Sequence, residues 1–176
     1  MKKKSYIYIY YMYFKDIQHL MDYTDMLHEP LHKLIYLAED DEDDRILFLE
    51  VLKEIHPEIG VKVFEDGQRL LDSLHEAEND KPKILFLDIN MPCKNGFECL
   101  KEIKCRVGCL SGVKIIMFST SSSTLHIELS YKLGADGYAI KPGSFNELKD
   151  LLQEIIAINW SKASRNRTEF VLDSKK

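Results

Sequence analysis

From Lys33 onward the apolar positions fall into two alternating spacings. Leu34–Ala38, Val61–Phe64, Ile84–Leu87, Val113–Phe118 and Tyr138–Ile140 are short apolar runs, the length and composition of buried strands. Between them apolar residues recur at helical spacing. Phe48, Val51, Leu52 and Ile55 fall at i, i+3, i+4 and i+7. Leu70, Leu71 and Leu74 mark a second helix, and Phe97, Leu100 and Ile103 a third. Leu125 to Leu133 is the least clearly amphipathic. Phe145, Leu148, Leu151, Leu152, Ile155 and Ile156 line the last.

The punctuation agrees with this alternation. Pro57 closes the first helix and Gly134 the fourth. Asn95 and Gly96 turn the chain into the third, and the hydroxyl-rich Ser119 to Thr124 offers a cap for the fourth. Ser144 and Glu147 form a capping box for the fifth. Five strands alternating with five helices demand parallel pairing, so the fold class is α/β, a five-stranded parallel doubly wound sheet over residues 34–158. The tail, 159–176, is polar and expected to fray except near Trp160, Phe170 and Leu172.

Residues 1–33 read differently. Three lysines, Lys2 to Lys4, precede a tyrosine-rich apolar stretch from Tyr6 to Phe14, about half a membrane span in length. It starts like a secretory signal, but no small-residue cleavage site follows. Three readings stand: a disordered or loosely docked extension, a partner-binding segment, or upstream sequence that is not translated, with synthesis starting at Met21 or Met26. Elsewhere composition adds little. The net charge of −5 argues against direct nucleic-acid or anionic-membrane binding. Cys93, Cys99, Cys105 and Cys109 lack CxxC or zinc-ligand spacing and read as free thiols of a cytoplasmic protein.

The candidate chemistry sits at strand ends. The first strand runs into Glu39-Asp40-Asp41, the third into Asp88, the fourth into Ser119 and the fifth into Lys141. In an open parallel sheet these ends share one edge, where α/β proteins bind ligands. Clustered carboxylates repel, which raises the pKa of one or more, and a divalent cation relieves that. Hard oxygen ligands suit Mg²⁺. A lysine and a hydroxyl beside them suit phosphate oxygens. Together they fit phosphoryl transfer to an aspartate, which would carry the group as an acyl phosphate.

Four segments, LAEDDEDDR, LFLDINMP followed by NGFE, IIMFSTSSS and LGADGYAIKP, resemble in order the receiver domain of two-component response regulators. The resemblance implies the strand order 2-1-3-4-5 of the flavodoxin-like, CheY-like fold. It makes Asp88 the phosphoacceptor, and Asp40, Asp88, the backbone carbonyl of Asn90 and, through water, Glu39 the Mg²⁺ site. It makes Ser119 and Lys141 phosphate-binding, with a cis bond between Lys141 and Pro142. Ser119 and Tyr138 become a switch pair, the tyrosine rotating inward after phosphorylation. Glu39 stands where aspartate is commoner, Cys93 lies in the loop after the acceptor, and Gly143 replaces a frequent phenylalanine.

The implied partners are a sensor histidine kinase or histidine phosphotransfer protein and an unidentified downstream protein, with phosphorylation-dependent dimerisation open. About eighteen residues follow Ile158, too few for a helix-turn-helix module, so a stand-alone regulator is expected. It would catalyse only its own phosphorylation and dephosphorylation. A haloacid-dehalogenase-like phosphatase needs an acid where Asn90 stands. A flavodoxin-like cofactor binder needs a phosphate loop where the chain is acidic. A degenerate receiver acting only as a binding module would not need the intact site.

Overall fold

The structure is a computed structural model that describes residues 34–76, 81–105, 110, 112–160, 162–163 and 165–173. The chain divides into units Met1–Leu31 and His32–Lys176, and all that follows concerns the second. The expectations for residues 1–33 and for Cys109 lie outside the described residues.

The strands are β1 (Leu34–Ala38), β2 (Gly60–Phe64), β3 (Ile84–Leu87), β4 (Lys114–Ser119), β5 (Gly137–Ile140) and β6 (Val171–Leu172). The helices are α1 (Glu42–Ile55), α2 (Gly67–Glu76), α3 (Gly96–Cys105), α4 (Thr124–Leu133) and α5 (Phe145–Ala157). The strands form one sheet in the order β2-β1-β3-β4-β5-β6, all pairs parallel. The doubly wound class and the 2-1-3-4-5 order are as read from sequence; the sixth strand is an addition.

Alternate residues of the central strands feed opposite layers. Ile35, Leu37, Ile84, Phe86, Ile116 and Phe118 pack with α1 and α5, around a cluster in which Phe48, Phe86 and Phe118 meet edge to face. Tyr36, Leu85, Leu87, Ile115, Met117 and Tyr138 pack with α2 and α3. Both faces are covered, which is why these strands read as continuous apolar runs. α4 contributes only Ser130 to the fully buried set and leaves Leu125 exposed, which accounts for its weak periodicity.

Local chemistry sets the helix starts. Asp41 caps α1 by accepting from the Asp44 N–H at 3.0 Å. Asp66 accepts from Arg69 at 2.8 Å ahead of α2. Asn95 and Glu98 exchange backbone-to-side-chain bonds at the start of α3, and Ser144 accepts from Glu147 N–H at α5. Ser123 precedes α4 without a side-chain cap bond.

The tail is anchored where its apolar residues fall. Trp160 Nε1 donates to the Ile155 carbonyl, and buried Phe170 meets Tyr131 edge to face. Leu172 lies against Gly137, where a Cβ would stand 2.9 Å from its Cδ1. This close approach lets β6 pair with β5. Among the described residues no helix is long and apolar enough to cross a membrane.

Candidate functional site

Parallel pairing carries the chemistry of four strands to one edge. The sheet's hydrogen bonding continues past the strand ends and fixes the backbone of each key residue. Glu39 N–H donates to Phe64 O at 2.9 Å, Asp88 N–H to Ala38 O at 3.0 Å, and Lys141 N–H to Ser119 O at 2.9 Å. Asp88 therefore inherits the rigidity of a strand buried on both faces.

The side chains converge. One carboxylate oxygen from each of Glu39, Asp40 and Asp88 lies within 4.8 Å of the others. Lys141 Nζ lies 2.6 Å from Glu39 Oε2, 2.8 Å from Asp44 Oδ2 and 3.1 Å from Asp88 Oδ1. Asp88 Oδ2 accepts from the Asn90 N–H at 2.6 Å. Glu39 and Asp88 are buried, whereas Asp40 is exposed at the mouth. Ser119 is buried, and its Oγ accepts from Ser121 N–H at 3.3 Å.

The electrostatics follow from burial. Burial pushes the Glu39 carboxyl up to about 7 against the pull of Lys141, and the charge of Asp88 adds to the rise. For Lys141 burial opposes the charged form, but Asp44, Glu39 and Asp88 outweigh it and hold the amine above the usual lysine range. The ammonium is thus charged at neutral pH. Glu39 Oε2 is buried and has no well-angled hydrogen bond, only the close ion pair. A buried, incompletely satisfied oxygen beside two more carboxylates is a donor set that fits a hard divalent cation.

Tyr138 is wholly buried, and its hydroxyl donates to Ser121 O at 2.6 Å. Burial raises its phenol pKa, hydrogen bonding to Ser119 and Ser121 opposes that, and the nearby charge of Asp88 adds to it. The ring is already inside, so the inward rotation expected from sequence has no outward starting point in this structure. The cis bond expected between Lys141 and Pro142 is corrected: no cis peptide occurs among the described residues. A trans X-Pro bond is favoured by about 0.5–1 kcal/mol unless packing selects the other isomer.

Sequence reasoning missed two contributors. Asp44, in the first turn of α1, reaches Lys141 Nζ at 2.8 Å. Arg45 Nη1 donates to the carbonyls of Glu39 at 3.1 Å and Asp40 at 2.7 Å, holding the acidic loop. The only signal was the acidic run itself, which does not say which acid faces the lysine. Cys93 lies in the loop after β3 with φ 63°, in the left-handed region.

Comparison with known proteins agrees with this arrangement. The family model described as response regulator receiver domain matches residues 35–153. The probable methanogenesis regulatory protein FilR2 of Methanothrix harundinacea is 29% identical over 148 residues, spanning 81% of this chain and 95% of the relative. Response regulator Rcp1 of Synechocystis is 32% identical over 127 residues, 70% of this chain and 86% of Rcp1. The crystal structure of the phosphorylated cyanobacterial phytochrome response regulator RcpA superposes with TM-score 0.67 at 29% identity, covering 76% of this chain and 97% of that one. The Mn²⁺-bound form of Rcp1 gives TM-score 0.65 at 26% identity, covering 75% and 97%. With acids, hydroxyl and lysine meeting at the strand ends of a doubly wound sheet, and a family match spanning that sheet from β1 into α5, the chain belongs to the response regulator receiver domain family of two-component signalling.

Proposed function

We propose that this chain accepts a phosphoryl group on Asp88 from a phosphohistidine of a sensor histidine kinase or histidine phosphotransfer protein, in a Mg²⁺-dependent reaction in the cytoplasm. One observation carries the reading. Asp88 belongs to a three-carboxylate cluster, and a lysine ammonium lies 3.1 Å from its Oδ1. Receivers bind Mg²⁺ or Mn²⁺ at such an acidic pocket and work with histidine kinases and downstream effectors.

An Asp88 carboxylate oxygen attacks phosphorus in line. The phosphorus–nitrogen bond breaks, imidazole leaves, and an acyl phosphate remains. Asp40, Asp88 and the Asn90 carbonyl would hold Mg²⁺, with Glu39 acting through water. The cation supplies neutralisation of charge on the transferring oxygens. Lys141 donates to a second phosphoryl oxygen and keeps its charge at neutral pH. Ser119 offers its hydroxyl to a third by giving up the loop contact with Ser121. Because Tyr138 donates to that same residue's carbonyl, movement of Ser119 biases the tyrosine and the face made by α4, β5 and α5. A protein partner reads that bias.

The test is intact mass after incubation with Mg²⁺ and acetyl phosphate. A phosphate adduct on the wild type, absent from Asp88→Asn and from Mg²⁺-free samples, is expected. Folded wild type that takes no adduct from several donors would defeat the proposal.

A further inference from the structure

The Lys141 ammonium carries three protons, and three carboxylates surround it. Only one of the three, Asp88, receives the phosphoryl group in the function proposed above. Glu39 belongs to the three-carboxylate cluster, with its Oε2 2.6 Å from Nζ. Asp44 stands apart: it is not in the three-carboxylate cluster and is half-exposed in the first turn of α1. Its Oδ2 accepts a hydrogen bond from Nζ at 2.8 Å, shorter than the 3.1 Å contact to Asp88.

We propose that Asp44 is a positioning residue that holds the Lys141 ammonium so that one N–H stays aimed at the oxygens on Asp88. The holder is itself held. Its N–H donates to the cap residue Asp41, and the next residue, Arg45, clamps the two carbonyls that precede the helix. The end of β1 and the first turn of α1 thus form one rigid piece, and Asp44 projects from it to the end of β5. Without Asp44 the ammonium keeps Glu39 at 2.6 Å and Asp88 at 3.1 Å but loses its one contact from outside the carboxylate cluster, and the lysine chain gains rotamer freedom. Phosphoryl transfer is governed mainly by positioning and electrostatics, so a wandering ammonium slows it. When the group transfers to Asp88, the contact that changes is the one to Asp88; those to Asp44 and Glu39 are retained.

This inference rests on the proposed phosphorylation of Asp88, and the experiment separates the two. Wild type, Asp44→Ala and Asp44→Asn are labelled with acetyl phosphate over a range of concentrations, and Mg²⁺ binding to each is measured by calorimetry. The Lys141 ammonium is followed by its ¹H–¹⁵N signal in the resting protein. Asp44→Ala is expected to lower the maximal labelling rate about tenfold, with donor half-saturation and Mg²⁺ affinity each changed less than about twofold. Asp44→Asn, which keeps an acceptor oxygen without the charge, recovers most of the rate, and its ammonium signal stays closer to wild type than that of Asp44→Ala.

A fully labelled wild type with an Asp44→Ala that matches it in rate and ammonium signal overturns the inference and leaves the phosphoacceptor reading standing. So does an Asp44→Ala that is faster than wild type, or an Asn variant as slow as Ala, since either makes the charge and not the hydrogen bond the operative feature. A loss of Mg²⁺ affinity equal to the loss of rate makes Asp44 a metal ligand and equally overturns it. Wild type without adduct removes the phosphoacceptor reading, and the inference with it.

Discussion

Gly96 opens α3, where helix propensity alone favours alanine over glycine by about 1 kcal/mol. The tertiary structure reverses that sign. A Cβ on Gly96 would stand 2.1 Å from the carbonyl oxygen of Asp88 and 3.0 Å from both Asp88 C and Ile89 Cα. Every one of those atoms is backbone, so no side chain can swing aside. Restoring an ordinary contact requires a shift of roughly 1 Å between α3 and the end of β3. That shift loosens the Gly96 N–H bond to Ile89 O, now 2.9 Å, and moves Asp88 relative to Lys141. Overpacking of this kind costs about 1–3 kcal/mol and a weakened hydrogen bond about 1 more. For a domain of this size the sum corresponds to a fall in Tm of about 4–16 °C. An error of 1 Å at a reacting centre can slow the chemistry by about 10²-fold. Gly96→Ala should therefore melt several degrees early by circular dichroism and label slowly with acetyl phosphate. A variant with wild-type Tm and wild-type labelling would refute the reasoning, because the two backbones would then have to separate without consequence.

Three further predictions follow from other parts of the molecule. Burial pushes the Cys99 thiol up to about 12, so its neutral form contributes stability below its unfolded pKa of about 8.5 that is lost as pH rises toward 12. The stability advantage of wild type over Cys99→Ala should shrink by about 2 kcal/mol between pH 8.5 and 10 in urea titrations, and Cys99 should resist alkylation at pH 8 while exposed Cys93 and Cys105 react. Cys93→Gly should raise stability by about 1 kcal/mol, because the left-handed φ of 63° is costly for a residue with a Cβ; an unchanged urea midpoint would show that the loop relaxes freely. Phe170→Ala should cost about 3 kcal/mol and speed hydrogen exchange at the Tyr138 amide, which donates to Phe170 O at 2.8 Å; protected exchange in the variant would mean that β6 stays docked without its aromatic anchor.

Much of the site was legible from local pattern. Glu39, Asp88, Ser119 and Lys141 each follow an apolar run directly, and Asp40 comes one residue later. Once βα repetition makes the strands parallel, such residues must share an edge. Nothing in that argument needs a distance. The contribution of Asp44 was not legible, since five acids stand in a row from Asp40 and only the cap at Asp41 decides which of them the first turn of α1 aims at Lys141. The sixth strand was invisible for a related reason. Two residues, Val171 and Leu172, carry no period, and they become a strand only because β5 leaves an edge free and Gly137 makes room for Leu172.

Periodicity and punctuation along the chain were enough for the order of elements, the two-layered burial and the list of acids, hydroxyl and lysine, because each depends on neighbours within one turn or one strand. Three features depended on the assembled molecule: the carbonyl of Asp88 pressed against Gly96, the tyrosine already turned inward beneath Ser121, and the lysine shared among three carboxylates. These are contacts between side chains and backbones from different elements. Their distances are set by how helices seat on the sheet, and no spacing within a single segment encodes that.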